Sequence, residues 1–352
     1  MHLYGGARQL VYLLSGLRQY QVRSILVCPR GSAIAGEAAA LGVQRYELPL
    51  RGDHDIPFIW RLKRIIERER PDLVHLHSRR GADILGGMAA RLAGVKSVVS
   101  RRVDNPESPF VVKWKYRLFD RVITISQGIA EVLLREGLSP GKLVCVRSAV
   151  DVEAFQGRCD REWFRETFGL HPGDLVMGTV AQLIPRKGHR ILLQAMPRLL
   201  EVFPNLRLLI CGQGPLEGEL SALIDELGLR EQVSMLGFRT DLPAILPCFD
   251  LLVHPALMEG LGIALLQAAS AGLPIVAVAA GGMPEAVEEG ITGRLVPAGN
   301  VDALADALGQ LLADEALRRR MGKAGREKMR REFSLARMVE GNLRVYRELI
   351  EG

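Results

Sequence analysis

An acidic residue inside a glycine-rich turn is the feature of this sequence best suited to chemistry. Glu259 stands in "MEGLGIALLQ", just before a helix of small and apolar residues. Gly260, Leu261 and Gly262 fall at that helix's start. Backbone N–H groups there have no helical acceptor and favour an anion, typically phosphate. Glu259 would repel phosphate, so its carboxylate suits sugar hydroxyls beside one. The plainer alternative is an acid that simply favours a helix N-terminus. Gln267 lies eight positions on, about 12 Å along a helix, comparable to the span from a sugar across a diphosphate to a ribose.

A second stretch, "VAQLIPRKGHRILLQA" (180–195), reads as strand, turn and helix, with Lys187 and Gly188 at the turn. Lys187 can bring positive charge to a leaving diphosphate, with Arg186 in support; a basic turn opening a helix is the alternative. In "CGQGPLEGEL", Gly212 and Gly214 permit close backbone approach after a strand. There is no G-x-G-x-x-G there, so no nicotinamide site is read. Gly5 and Gly6 precede the first helix, and Gly281 and Gly282 turn the chain at a strand end.

Arg101, Arg102 and Asp104 in "SVVSRRVD" fall at a strand end, as do Arg79 and Arg80 after "HLHS". They form either an anion pocket, suited to an acidic or phosphorylated sugar acceptor, or a set of solvated arginines. His75 and His77 alternate on one strand and share a face, but no Cys or carboxylate set beside them supports a metal. They read as structural or acceptor-side residues. Asp53-His54-Asp55 reads as a polar loop.

The elements that must position these residues alternate strand and helix. Strands are expected at 23–29, 72–78, 96–102, 121–127 and 143–148, with helices at 56–70, 82–94 and 128–137 between them. The pattern pauses in a polar stretch at 151–173. It restarts with strands at 175–183, 206–212, 233–237, 251–256, 274–279 and 294–299, and helices fill most of 301–350. Such alternation implies parallel, doubly wound sheets. Ligands should then bind at the carboxyl ends of the strands, in a cleft between two Rossmann-like domains. The opening "MHLYGG" leaves no room for a strand before the first helix, so the first sheet is expected to lack its first strand or the chain to start upstream.

Composition is that of a globular chain: 352 residues, 48% hydrophobic and 24% charged. No apolar run is long enough for a membrane span. The five cysteines are scattered, odd in number and without C-x-x-C. This argues for a reducing cytoplasm and against a zinc site or a disulfide framework. The first 170 residues carry 27 basic and 18 acidic side chains, against 19 and 22 in the remainder. A basic half can attract nucleic acid, anionic lipid or a phosphorylated substrate, or serve solubility. Aromatics at 5% do not favour a stacking platform for single-stranded nucleic acid.

Together these motifs resemble the retaining glycosyltransferases of family four, which have the GT-B fold. The most specific part is "DLLVHPALMEGLGIALLQAASAGLPIVAVAAGGMPEAVEEGITGRLVPAGN" (250–300), preceded in order by "IPRKGH", "ICGQGPL" and "GFRTDLPAILPCFD". The resemblance implies an α/β fold of two facing Rossmann-like domains. These would be an acceptor-side domain at 1–155, a nucleotide-sugar domain at 172–332, and a terminal helix at 333–352 packing back on the first. It implies that Glu259 contacts the donor sugar and Lys187 the donor diphosphate, with the 260–262 amides on that phosphate. Gly5 and Gly6 would approach from the other domain. Three positions depart from the pattern. Gln267 replaces the second glutamate of the motif, Gln182 replaces an arginine, and arginines stand where a histidine is usual.

The expectation is a retaining, metal-independent transferase without cofactor, using a nucleotide-diphosphate sugar as donor and a glycan or lipid-linked acceptor. Its setting would be cell-envelope polysaccharide or lipopolysaccharide synthesis on the cytoplasmic side. The basic helix "WRLKRIIERER" (60–70) suggests an anionic membrane surface as a further partner; an ordinary surface helix is the alternative. A nucleotide-sugar-binding protein without catalysis is the rival class, and a nucleic-acid binder, suggested only by the basic half, a weaker one.

Overall fold

A computed structural model of the chain describes residues 5–77 and 81–352. These fall into two compact α/β units. One comprises 1–149 with 335–352, the other 150–334. The first unit runs α1 (Gly5–Leu17), β1 (Ile25–Pro29), α2 (Ala33–Ala40), β2 (Gln44–Leu48), α3 (Pro57–Glu69) and β3 (Leu73–Leu76). It continues through α4 (Ala82–Leu92), β4 (Lys96–Arg101), α5 (Pro109–Lys115), β5 (Arg121–Thr124), α6 (Gln127–Arg135) and β6 (Leu143–Cys145). The second runs α7 (Arg161–Phe168), β7 (Leu175–Val180), α8 (His189–Val202), β8 (Leu206–Cys211), α9 (Glu217–Glu226), β9 (Val233–Gly237), α10 (Leu242–Ile245) and β10 (Leu251–His254). After these come α11 (Ile263–Ala271), β11 (Ile275–Val278), α12 (Met283–Ala286), β12 (Gly293–Val296), α13 (Val301–Ala313) and α14 (Glu315–Glu332). The last helix, α15 (Leu335–Glu351), belongs to the first unit.

All strand pairings are parallel. The second unit is one six-stranded sheet in the order β12-β11-β10-β7-β8-β9. Its central strands are buried along their length, as sheets covered by helices on both faces require. In the first unit the described strands form two sheets, β1-β2 and β3-β4-β5-β6. Val27 of β1 and Val74 of β3 nonetheless pack against one cluster made by Ile59, Leu62 and Ile66 of α3 with Leu85 and Ala89 of α4. A second cluster joins Leu13 and Leu17 of α1 to Val98, Ile123 and Val146 of the sheet. Met338, Val339 and Tyr346 of α15 complete it.

Some elements differ from the sequence reading. The strand β2, "QRYEL", alternates polar residues on an edge and carries no apolar run, so its periodicity is silent. The polar stretch at 151–173 contains α7, capped by Asp160, which accepts from the Trp163 amide at 3.0 Å. The cysteine reading is corrected: Cys159 and Cys248 form a disulfide within the second unit, with Cα atoms 4.8 Å apart across 89 residues of sequence. Only the fold brings them together; spacing alone carries no sign of it. Cys28, Cys145 and Cys211 are outside any disulfide.

Candidate functional site

In the second unit the chain builds β7, β8 and β9 outward, then returns to add β10 on the other side of β7. Strand order therefore reverses between β7 and β10, and the ground beyond the carboxyl ends of these two strands is where such sheets bind ligands. Lys187 follows β7 in a short turn, Pro185–Lys187; Glu259 follows β10. Gly188, at φ +70°, closes the lysine turn and opens α8. A Cβ on Gly188 would sit 2.0 Å from the Pro255 carbonyl oxygen, so only glycine lets the two loops meet. Two backbone links hold them: Leu257 donates its amide to Arg186 O at 2.9 Å, and Arg186 Nη1 donates to Met258 O at 3.2 Å.

The ends of these loops carry one buried cluster. Lys187 Nζ, on a residue only 8% exposed, is ion-paired with Glu259 Oε2. His254 Nε2 lies 3.3 Å from the same oxygen. Burial alone would raise the Glu259 carboxyl, but the hydrogen bond from His254 and the Lys187 charge outweigh it and hold its pKa at about 2. His254 is itself kept neutral by burial, so it donates Nε2–H to the carboxylate and leaves a buried Nδ1 without a partner. His189, at the start of α8, is buried with neither ring nitrogen paired. Burial, then the charges of His254 and Lys187, lower its pKa to about 4. Neither histidine was singled out from sequence, although both flank chosen residues in "KGH" and "HPALME".

Beyond Glu259 the backbone turns into α11 with amides that have no helical acceptor. Gly260, Leu261 and Gly262 are buried. Among the described residues no acceptor takes the amides of 260–264, while Leu265 is the first to donate, to Gly262 O at 2.9 Å. Buried N–H groups left bare are costly unless a ligand or water meets them. The site's far wall is tied back through the Gly282 amide, which donates to Glu259 O at 3.0 Å. Gln267, half-buried, lies on α11, and Gln182 and Arg186 are exposed around the β7 turn. Gly212 follows β8 in close backbone contact. Its amide is spent on Gly237 O at 2.7 Å, and a Cβ there would lie 1.8 Å from Ala181 O. Gly214 likewise packs on the Leu183 carbonyl. Close packing of backbone accounts for glycine at both positions.

The residues expected on the acceptor side separate into three groups in the first unit. Arg101 is built into a buried lattice: it pairs with Glu107 at 2.8 Å, Glu107 pairs with Lys115 at 3.1 Å, and Lys115 with Asp83 at 2.7 Å. Its remaining N–H groups go to the carbonyls of Val103 and Asn105. This arginine anchors α5 and has no charge to spare, which corrects its expected place in an anion pocket. Arg79 and Arg80 lie outside the described residues. Arg102 remains: its Nη2 meets His77 Nδ1 at 3.1 Å. Asp104 is buried beside this segment. His75 bridges Tyr346 Oη, 2.5 Å from Nδ1, and Ser100 Oγ, 2.8 Å from Nε2, and so ties β3 to β4 and α15. Gly5 and Gly6 form the first turn of α1 itself.

Comparison with known proteins places this architecture. A D-inositol 3-phosphate glycosyltransferase of Mycobacterium marinum is 31% identical over 298 residues, or 78% of this chain and 63% of that protein's length, so the match spans under two thirds of the relative. A glycosyltransferase from Rickettsia africae superposes with a TM-score of 0.91 at 19% identity, covering 100% of this chain and 97% of that one. Anabaena HepE, solved with UDP and glucose, gives 0.87 at 20% identity, with 99% and 97% covered. These structures establish the two-unit GT-B class of fold. The model for Glycosyltransferase Family 4 matches residues 4–154 and that for Glycosyl transferases group 1 matches 160–328. Between them the two models take in nearly the whole chain, which belongs to glycosyltransferase family four.

Proposed function

We propose that the chain transfers a sugar from a nucleotide-diphosphate donor to a glycan or lipid-linked acceptor, with retention at the anomeric carbon and without a divalent metal. One observation carries this reading: Lys187 and Glu259, 72 residues apart, meet in front of buried amides that have no acceptor. In the free protein the lysine charge is balanced by Glu259. A bound diphosphate would take up that charge and the amides of 260–264, while the freed carboxylate, ionised at any working pH, accepts hydrogen bonds from sugar hydroxyls. Charge developing on the leaving diphosphate is then met by donors already in position. Glu259 positions the sugar; its carboxylate, held by Lys187 and His254, is not placed as a nucleophile. Gln267 can accept a hydrogen bond from a ribose hydroxyl, without a carboxylate's charge assistance.

The structure of HepE with UDP and glucose makes uridine nucleotides the first to test. A thermal-shift series of nucleoside diphosphates should raise the melting temperature for one base above the others. Hydrolysis of the matching nucleotide sugar, measured with and without EDTA, then separates a transferase from a binding protein. A chain that no nucleoside diphosphate stabilises would refute the reading; binding without turnover would favour the non-catalytic alternative.

No helix among the described residues is long and apolar enough to cross a membrane. A lipid-linked acceptor would be met at a membrane surface, in cell-envelope polysaccharide or lipopolysaccharide synthesis on the cytoplasmic side. Ile65 and Ile66 of α3 are in the core, and Arg61 is held by Asp55 at 2.5 Å. The docking face would therefore use the exposed Ile56 and Trp60 with Arg64. Sedimentation with anionic vesicles at low salt tests this, and absence of co-sedimentation rejects it.

A further inference from the structure

Glu259 Oε2 is shared by two buried donors. Lys187 Nζ is ion-paired with it, and His254 Nε2 stands 3.3 Å away. Among the described residues these are the groups within ion-pair reach of the carboxylate. His254 is 1% exposed and the Glu259 side chain 17%. A carboxylate so far out of water needs a counter-charge, and in the free protein Lys187 supplies it. A diphosphate that engages Lys187 takes this charge away and sets a second anion beside the first. Sugar hydroxyls donate hydrogen bonds to Glu259 but neutralise nothing. His254 is then the remaining group of the cluster able to bring a positive charge to that oxygen.

Few groups act on this histidine. β7, β11 and α11 pack against β10 and carry no titratable side chain. At the start of α8, His189 is buried and neutral, and Arg190 is exposed and paired with Glu219 at 2.6 Å. The charges acting on His254 are those of Glu259, Lys187 and Arg186. In the free protein burial, with the charges of Lys187 and Arg186, outweighs the pull of Glu259 and keeps the ring neutral. A diphosphate shifts that balance, because it cancels the repulsion from Lys187 while the pull of Glu259 remains. The ring also has a position for the proton: Nε2–H is engaged with Glu259, whereas Nδ1 is buried and has no partner.

We propose that His254 takes a proton from solvent, at Nδ1, when a nucleoside diphosphate binds, and so replaces Lys187 as the counter-ion of Glu259. His254 is then a positioning residue for the carboxylate that holds the sugar. This rests on the transferase reading and adds one proton to donor binding. Binding that takes up a proton weakens as pH rises. Calorimetric titration with UDP, or with the nucleoside diphosphate that the thermal-shift series selects, tests this between pH 6 and 8 in buffers of different ionisation enthalpy. The comparison is His254→Gln, which retains an N–H donor and cannot take the proton. The ligand's own titrating phosphate contributes equally to both proteins. At pH 7 wild type should take up about half a proton more than the variant, and between pH 6 and 8 it should lose about tenfold more affinity. Equal proton uptake with parallel slopes overturns the proposal; a merely structural histidine gives that result, since it shifts affinity by one factor at every pH. If His254→Gln does not fold, the ring nitrogen NMR shifts of wild type replace it. His254 should titrate between pH 6 and 8 with the nucleotide and stay neutral over that range without it, and a ring in the same state in both overturns the claim. Affinity is read separately in each titration. Binding without the extra proton rejects this inference alone, and absence of binding by any nucleoside diphosphate rejects the donor reading with it.

Discussion

Lys187 in the second unit is buried and Arg102 in the first half-buried, each beside a histidine, yet they are balanced differently. Lys187 has Glu259 against it, and His254 supports that carboxylate. Among the described residues Arg102 has only the neutral His77. A cation paired internally is stable alone, and a ligand must displace its carboxylate. A cation left unpaired gains most when the ligand arrives. The second unit should therefore be sturdy without ligand, and the first should respond more strongly to added anions.

The comparison can be tested in four ways, in descending size. The disulfide lies wholly within the second unit, so changing Cys159 and Cys248 together to serine should weaken that unit alone. For a loop of this length the chain-entropy model gives about 4.6 kcal/mol, readable as faster amide exchange in β7 and β10 with β3 to β6 unchanged. Lys187→Ala breaks the internal pair. It should cost about 3 kcal/mol in denaturant melts and lower sugar transfer at least about tenfold. Wild-type transfer in that variant would remove Lys187 from the site.

The third test is acid. His75 in the first unit, at about 3, and His189 in the second, at about 4, both lie below their unfolded value of 6.5. Between those values the unfolded chain takes up protons that the folded one refuses. Stability is thus full above pH 6.5 and falls as pH drops towards 4, by about 2 kcal/mol per histidine at pH 5. Chemical melts at pH 7 and 5 measure this, and His75→Gln or His189→Gln should each flatten it by one share. The smallest effect is the most pointed. His77→Asp gives Arg102 the carboxylate that Lys187 already has, and should add about 1 kcal/mol in denaturant melts.

Much of the second unit was legible in the sequence, because its strands are continuous apolar runs and its turns carry glycine with a charge. Glu259 and Lys187 could be chosen from "MEGLG" and "PRKGH", and the fold brings them into contact. What stayed hidden depends on partners far away in sequence. Arg101 and Arg102 are neighbours of identical type, and only the position of Glu107 and Lys115 makes one structural and leaves the other available. The disulfide, the edge strand β2 and the buried His189 and His254 share that cause. Their environment comes from tertiary neighbours, and no local spacing encodes it.

Gly188 is where the two arms of the candidate site touch, with the Pro255 carbonyl in the space a side chain would need. One added methyl there would act as a wedge, prising the lysine arm from the glutamate arm without altering any charge. Variation at this position should therefore imitate the loss of Lys187 while every ionisable group is retained, and a survey of damaging substitutions confined to charged residues would pass it by.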